Sequence, residues 1–166
     1  MNRWLEQRLK NLHELAERDY KANEAFFRQL KKKKPKNLDD QFHTLHDETF
    51  DNDACLDCGN CCKSISPGIY EKDVERLARF LKKKPSKVID EYLHQEKNGD
   101  YAFVQTPCPF LAADNYCMVY EARPKACREY PHTDRRRMYQ ILDITLKNTY
   151  ICPFVYEIVK KLRERL

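Results

Sequence analysis

Residues 55–62 read Cys55-Leu56-Asp57-Cys58-Gly59-Asn60-Cys61-Cys62, and this octet organises the rest of the chain. A two-residue gap lets two thiolates turn toward one centre while the intervening amides face the sulfurs. Repeating that gap presents three sulfurs in one compact loop. Bacterial ferredoxin-type iron–sulfur runs open with the same repeat. Structural zinc uses similar knuckles, usually as two separated pairs. Gly59 is one of only 3 glycines in the chain, so its place inside the loop predicts a backbone angle that other residues resist. Cys61 and Cys62 are adjacent, and neighbouring side chains diverge in helix or strand. The pair is therefore not expected to ligate one ion.

Four more cysteines, Cys108, Cys117, Cys127 and Cys152, bring the total to 8. None lies among the first 54 residues or the last 14. Cys108-Pro109 and Cys152-Pro153 place a proline after the sulfur, which removes an amide donor and fixes a turn. The ferredoxin run also closes with Cys-Pro, which favours iron–sulfur, although Pro153 also suits the first position of a helix. All eight cysteines are candidate metal ligands. Cys55, Cys58 and Cys61 are expected to share one centre with one distant cysteine, and Cys62 to join the remaining downstream thiols at a second. Thiolate centres carry net negative charge, so Arg123 and Arg128, flanking Cys127, are candidates to bind the cofactor by offsetting it. His43 and His46 lie three residues apart but are not expected to bind metal. His132 could replace a cysteine ligand, but a solvent-facing or core-satisfied histidine is the expected reading. Tyr120 and Tyr130 are expected to pack around the thiols, and no residue is assigned a catalytic role.

The pattern Cys55-x2-Cys58-x2-Cys61-Cys62, then Cys108-Pro109-Phe110-Leu111, then Cys117-Met118-Val119-Tyr120-x2-Arg123-Pro124-x2-Cys127-Arg128-x-Tyr130-Pro131, resembles the CxxCxxCC cysteine-cluster family, also called YkgJ-like. The resemblance covers roughly residues 53–154 and includes the helix from Glu71-Lys72-Asp73 onward. Asp114-Asn115-Tyr116 departs from the glycine-bearing turn that family members often carry before this cysteine. The resemblance implies chelation of zinc or iron. It implies no defined reaction, although some relatives belong to flagellin lysine N-methylases. Methyl transfer has little support in these residues, because 3 glycines cannot build the usual glycine-rich nucleotide loop. The three-residue first gap of radical-SAM enzymes is also missing.

The chain has 166 residues and a mass of 19.9 kDa, enough to bury a core without covalent staples. Charged residues make up 34% and the mean hydropathy is −0.84, and no apolar run approaches the roughly 20 residues of a membrane span. The N-terminus lacks the apolar stretch of a signal peptide. A cytoplasmic location is expected. Thiols stay reduced there, which favours metal over disulfides.

The net charge of +5 is unevenly spread. Residues 1–36 carry +6, residues 37–62 carry −7 and the remainder +6. The basic arm and acidic connector are expected to complement each other within the molecule. Arg135-Arg136-Arg137 reads as a solvated face. The expected partners are a metal ion or cluster and a protein redox partner; no membrane or nucleic-acid partner is expected.

Helical periodicity predicts a first helix over 2–33, with Trp4, Leu5, Leu9, Leu12, Leu15, Ala16, Tyr20, Phe26, Phe27 and Leu30 on its apolar face. Pro35 should end it near the lysine run. Further helices are expected over 71–83 (Val74, Leu77, Ala78, Phe80 and Leu81 inward), 86–96 and 153–165. Asn98-Gly99-Asp100 signals a turn before a strand at 101–105, and 112–122 should turn back in a small hairpin. Residues 137–150 suit either a strand or a helix start. The expected fold is mainly α with a small β-hairpin, its irregular cysteine-rich, metal-centred core embraced by the N- and C-terminal helices. Residues 1–50 form a helical basic arm and acidic connector, and 51–166 the cysteine-cluster domain. The expected function is binding of an iron–sulfur cluster, most simply 4Fe–4S, for redox, electron-transfer or cluster-handling work. A zinc-stabilised binding module is the alternative, and a metal-dependent enzyme is less favoured.

Overall fold

The computed structural model describes residues 3–166, with the side chains of residues 52 and 53 left aside, so the expected helix start at Asn2 lies outside the described residues. In chain order the elements are α1 (Arg3–Lys33), α2 (Leu38–Thr49), α3 (Asn52–Cys58), α4 (Asn60–Ser64), α5 (Glu71–Leu81), α6 (Pro85–Tyr92), β1 (Leu93–Gln95), β2 (Tyr101–Phe103), α7 (Lys125–Glu129), α8 (Leu142–Asn148) and α9 (Pro153–Arg165). The protein is mainly helical with one small antiparallel hairpin. No described helix is long and apolar enough to cross a membrane. The chain forms two compact units, residues 1–58 with 131–166, and residues 59–130.

The first unit is helical. Leu5, Leu12, Ala16, Asn23, Phe27 and Leu30 are the buried residues of α1. They recur at three-, four- and seven-residue steps, which keeps one face inward. This face meets α9, whose Phe154, Val155, Ile158, Val159 and Leu162 are all buried. The Trp4 and Phe154 rings pack with centroids 5.4 Å apart. Asn23 is a polar residue inside the stripe, and Arg163 Nη1 donates to its Oδ1 at 3.0 Å. Lys34 closes α1 in the left-handed region (φ 42°), with its N–H bonded to the Leu30 carbonyl at 2.8 Å. The weakly patterned segment after it forms α2, which buries Leu38, Phe42 and Leu45. Residues 137–150, which suited two readings, are helical: a short turn of 3₁₀ helix at Met138–Gln140 leads into α8.

Residues 59–130 have their own core of Ile69, Val74, Leu77, Ala78, Val88, Leu93, Phe103, Phe110, Val119 and Ala122. Val74, Leu77 and Ala78 face inward from α5 as expected, but Phe80 is 46% exposed. Phe80 sits six residues beyond Val74, about 240° round the helix, so it belongs to the opposite side. The second correction concerns the hairpin. Leu93, His94 and Gln95 pair with Phe103, Ala102 and Tyr101, so the segment expected to extend α6 is the strand partner of β2. α6 stops at Tyr92 because Leu93 turns extended (φ −124°), and the Asn98-Gly99 turn, with Gly99 at φ 91°, returns the chain. Residues 112–122 make a tighter return closed by a bridge between Leu111 and Cys117. Asn115 supplies the left-handed residue of that turn (φ 68°), which asparagine tolerates better than most residues. The departure from a glycine-bearing turn therefore leaves the turn itself intact.

Candidate metal centre

Two short helices carry the octet. α3 ends at Cys58, Gly59 takes φ 57°, and α4 begins at Asn60. A Cβ on Gly59 would lie 3.0 Å from the Asn115 Cβ, so both backbone angle and space demand glycine here. The break re-aims the chain between the second and third cysteines of the repeat.

In the first unit, Cys55 and Cys58 lie on α3 and Cys152 caps α9. Cys58 and Cys152 are buried. Burial, together with the charges of Cys55 and Cys58, pushes the Cys152 thiol up to about 12. Cys152 therefore lies within electrostatic reach of both Cys55 and Cys58.

Residues 59–130 hold the other five thiols. Cys61 and Cys62 Sγ are 3.9 Å apart on α4. The Cys108 N–H donates to the Cys62 carbonyl at 2.8 Å, pinning the Cys108-Pro109 turn against α4. Cys117 sits on the Leu111 bridge, and Cys127 lies in α7 with its N–H bonded to the Pro124 carbonyl at 3.0 Å. The hydrogen bond from Cys61, aided by the charges of Arg123 and Lys63, brings Cys62 down to about 7. Cys108 is pushed up to about 11 by burial and by the charges of Cys62 and Cys117. Burial and the Cys62 charge also raise Cys117. Cys127 goes up to about 12 through burial and the charges of Cys62, Cys108 and Cys117. Four thiols so placed resist joint ionisation in the absence of a cation, and a bound cation reverses that preference.

Arg123 is the positive counterpart of this group. Its guanidinium carbon lies 3.5 Å from the centre of the Tyr120 ring, and its Nε donates to the Tyr120 carbonyl at 2.9 Å. Its charge opposes the upward shifts of Cys117 and Cys127. Arg128 is exposed on α7. Lys63, Asp73 and Arg76 were not singled out by sequence reasoning. Asp73 had a readable signal, because it stands three residues after Tyr70 at the start of an amphipathic helix, where a carboxylate caps.

The histidines have other partners. His43 Nε2 donates to the Arg135 carbonyl at 3.0 Å. His46 Nδ1 is hydrogen-bonded to Thr133 Oγ1 at 2.7 Å and its ring stacks on Phe50. His132 adopts the left-handed region (φ 66°). Among the described residues, no group of three or more His, Cys, Asp or Glu side chains is already arranged to hold an ion. The donor chemistry nevertheless suits a thiophilic metal: sulfur is the concentrated ligand type, with Cys58 and Cys152 buried and the other six thiols half-buried.

These features define a thiol-rich metal-binding protein. The chain belongs to the CxxCxxCC family, described as "Putative zinc- or iron-chelating domain", whose family model matches residues 54–153. No curated protein and no solved structure matches the chain.

Proposed function

We propose that the protein holds an iron–sulfur cluster, of 4Fe–4S type, on Cys62, Cys108, Cys117 and Cys127, and that it works in redox, electron-transfer or cluster-handling chemistry. The observation that carries this reading is that residues 59–130 gather these four thiols: the Cys108 N–H is bonded to the Cys62 carbonyl at 2.8 Å, Cys117 sits on the Leu111 bridge, and Cys127 follows Arg123, which is fixed over Tyr120. A cluster on four thiolates is a delocalised anion, and Arg123, fixed over Tyr120, offsets its charge. Arg128 adds positive charge on α7, next to Cys127. The paired two-residue gaps and the Cys108-Pro109 turn are also at home in cluster proteins. Cys55, Cys58 and Cys152 form a second thiol group that takes a further metal.

Zinc is the second reading, favoured by one observation: four thiols are the full complement of a closed structural zinc site. Anaerobic purification from iron-replete cells decides between them. A brown protein with about four irons and four acid-labile sulfides per cluster supports the first reading. A colourless protein with stoichiometric zinc and no labile sulfide sinks it.

A further inference from the structure

The thiol groups leave two charged motifs unused: the lysine run at the end of α1 and the arginine triplet at 135–137. They are far apart in sequence, yet the first unit brings them together. Lys34 Nζ lies 5.3 Å from the centre of the Tyr139 ring, and Lys31 Nζ is 2.5 Å from Asp143 Oδ2. Asp39, at the start of α2, accepts the backbone N–H groups of Arg137 and Met138 at 2.6 and 2.9 Å. His43, one turn along α2, fixes the Arg135 carbonyl. The backbone of the triplet is thus tied to the helix that directly follows the lysine run.

Lys32, Lys33, Lys36, Arg135, Arg136 and Arg137 are exposed. Among the described residues, none of their side chains makes an ion pair. The acidic connector does not neutralise them as expected from sequence. Its Asp39 is spent on backbone N–H groups and its Glu48 pairs with Arg165 at 2.6 Å. Arg8, Arg18 and Arg28 of α1 reach Glu157, Asp19 and Glu24. Six like charges, none of them in an ion pair, raise the local potential and draw a polyanion.

The chemistry of the patch selects the polyanion. Large exposed apolar side chains among the described residues are Trp4, Tyr70, Phe80, Val104, Tyr116, Met118, Ile144 and Leu166, none of them within 31–37 or 134–140. A protein interface draws its energy from buried aromatic or apolar anchors, and a surface-lying membrane helix inserts an apolar face. This surface offers charge alone, which is how a nucleic-acid backbone is bound without regard to sequence. We propose that residues 31–36 and 135–137 form a nucleic-acid-binding surface that engages phosphates. This revises the expectation drawn from the sequence and is independent of which metal the thiols hold.

The test uses the full chain in its purified, metal-loaded form. Fluorescence anisotropy follows binding to a labelled DNA duplex of about 20 base pairs and a single-stranded RNA of similar length, between roughly 50 and 200 mM salt. Binding at low salt should weaken with a log–log slope of up to about 5, the limit for six phosphates neutralised. The pairs Lys32→Glu with Lys33→Glu, and Arg135→Glu with Arg136→Glu, should each weaken binding at least about tenfold and flatten the slope by about 2. The matching Lys→Gln and Arg→Gln pairs should flatten it equally, which keeps the test valid if a reversal disturbs folding. Absence of binding to both nucleic acids at low salt overturns the proposal. So does binding that the substitutions leave unchanged, or binding to phosphatidylglycerol vesicles in place of either nucleic acid.

Discussion

Asp73 Oδ1 accepts the backbone N–H of Lys125 at 2.9 Å, tying the first turn of α5 to the start of α7. Arg76, one turn further along α5, contacts the same oxygen and donates to the Arg123 carbonyl at 2.8 Å. Asp73 Oδ2 accepts the Tyr70 N–H at 3.1 Å. The backbone is therefore held on both sides of Pro124, which fixes where Arg123 stands and where Cys127 enters α7. Asp73 is only 2% exposed, so its removal leaves buried donors without an acceptor.

Asp73→Ala should destabilise the protein by about 3 kcal/mol, because it strands a partly buried arginine and two backbone N–H groups. Asp73→Asn, which keeps one carbonyl oxygen, should cost less. Urea midpoints at constant metal content check this. Equal stability of Asp73→Ala and the parent would show that the brace carries no energy.

Gly59→Ala should cost at least about 1–2 kcal/mol from the left-handed backbone alone. The approach of Asn115 adds to it. Combining Gly59→Ala with Asn115→Gly should recover the steric part and leave the backbone part. Thermal melts of the single and double variants separate the two.

Asp19 gives a pH signature. The hydrogen bond from Arg18 leads in holding its carboxyl below the usual value, and the Tyr156 hydroxyl, donating at 2.7 Å, acts the same way. A carboxyl lowered on folding adds stability that is fully present above its unfolded value near 4. That stability is lost as pH falls through the folded value. Asp19→Asn should therefore be less stable than the parent by roughly 1–2 kcal/mol at neutral pH, with the gap narrowing as pH falls below about 4. A gap that stays constant down to pH 2 would contradict this sign.

Two thiol groups predict separable losses of metal. Cys152→Ser should remove the metal of Cys55 and Cys58 and leave the cluster of residues 59–130. Cys127→Ser should do the reverse. Metal binding is also folding free energy, so each variant should melt at a lower temperature. Metal and sulfide analysis of the two variants is the check. Complete loss of metal in both would show a single centre.

The sequence made some of these features plain and concealed others for identifiable reasons. α1, α5 and α9 were legible because Leu5, Leu12 and Ala16, Val74, Leu77 and Ala78, and Val155, Ile158 and Val159 repeat at helical steps. The demand for glycine at position 59 was legible from rarity alone. The strand at Leu93–Gln95 was not, because three residues carry no period and their pairing depends on a turn four residues later. Phe80 misled because hydrophobicity was counted where angular position decides. The partition of the thiols depends on tertiary proximity, which spacing cannot encode: Cys152 lies far along the chain from Cys55 and Cys58 yet responds to both. The Asp73 brace links positions 52 residues apart, again outside any local pattern.

The first unit draws on two stretches of sequence, up to Cys58 and from Pro131 onward, with residues 59–130 lying between them in the chain order. During synthesis, α1 is complete at Lys33, whereas its partner α9 begins only at Pro153. At about 5–20 residues per second, α1 waits on the order of ten seconds with its apolar face uncovered. Residues 59–130, by contrast, emerge as one continuous stretch containing every side chain of their own core. The ribosome thus delivers residues 59–130, with their five thiols, before the helices on either side of them in the chain can close.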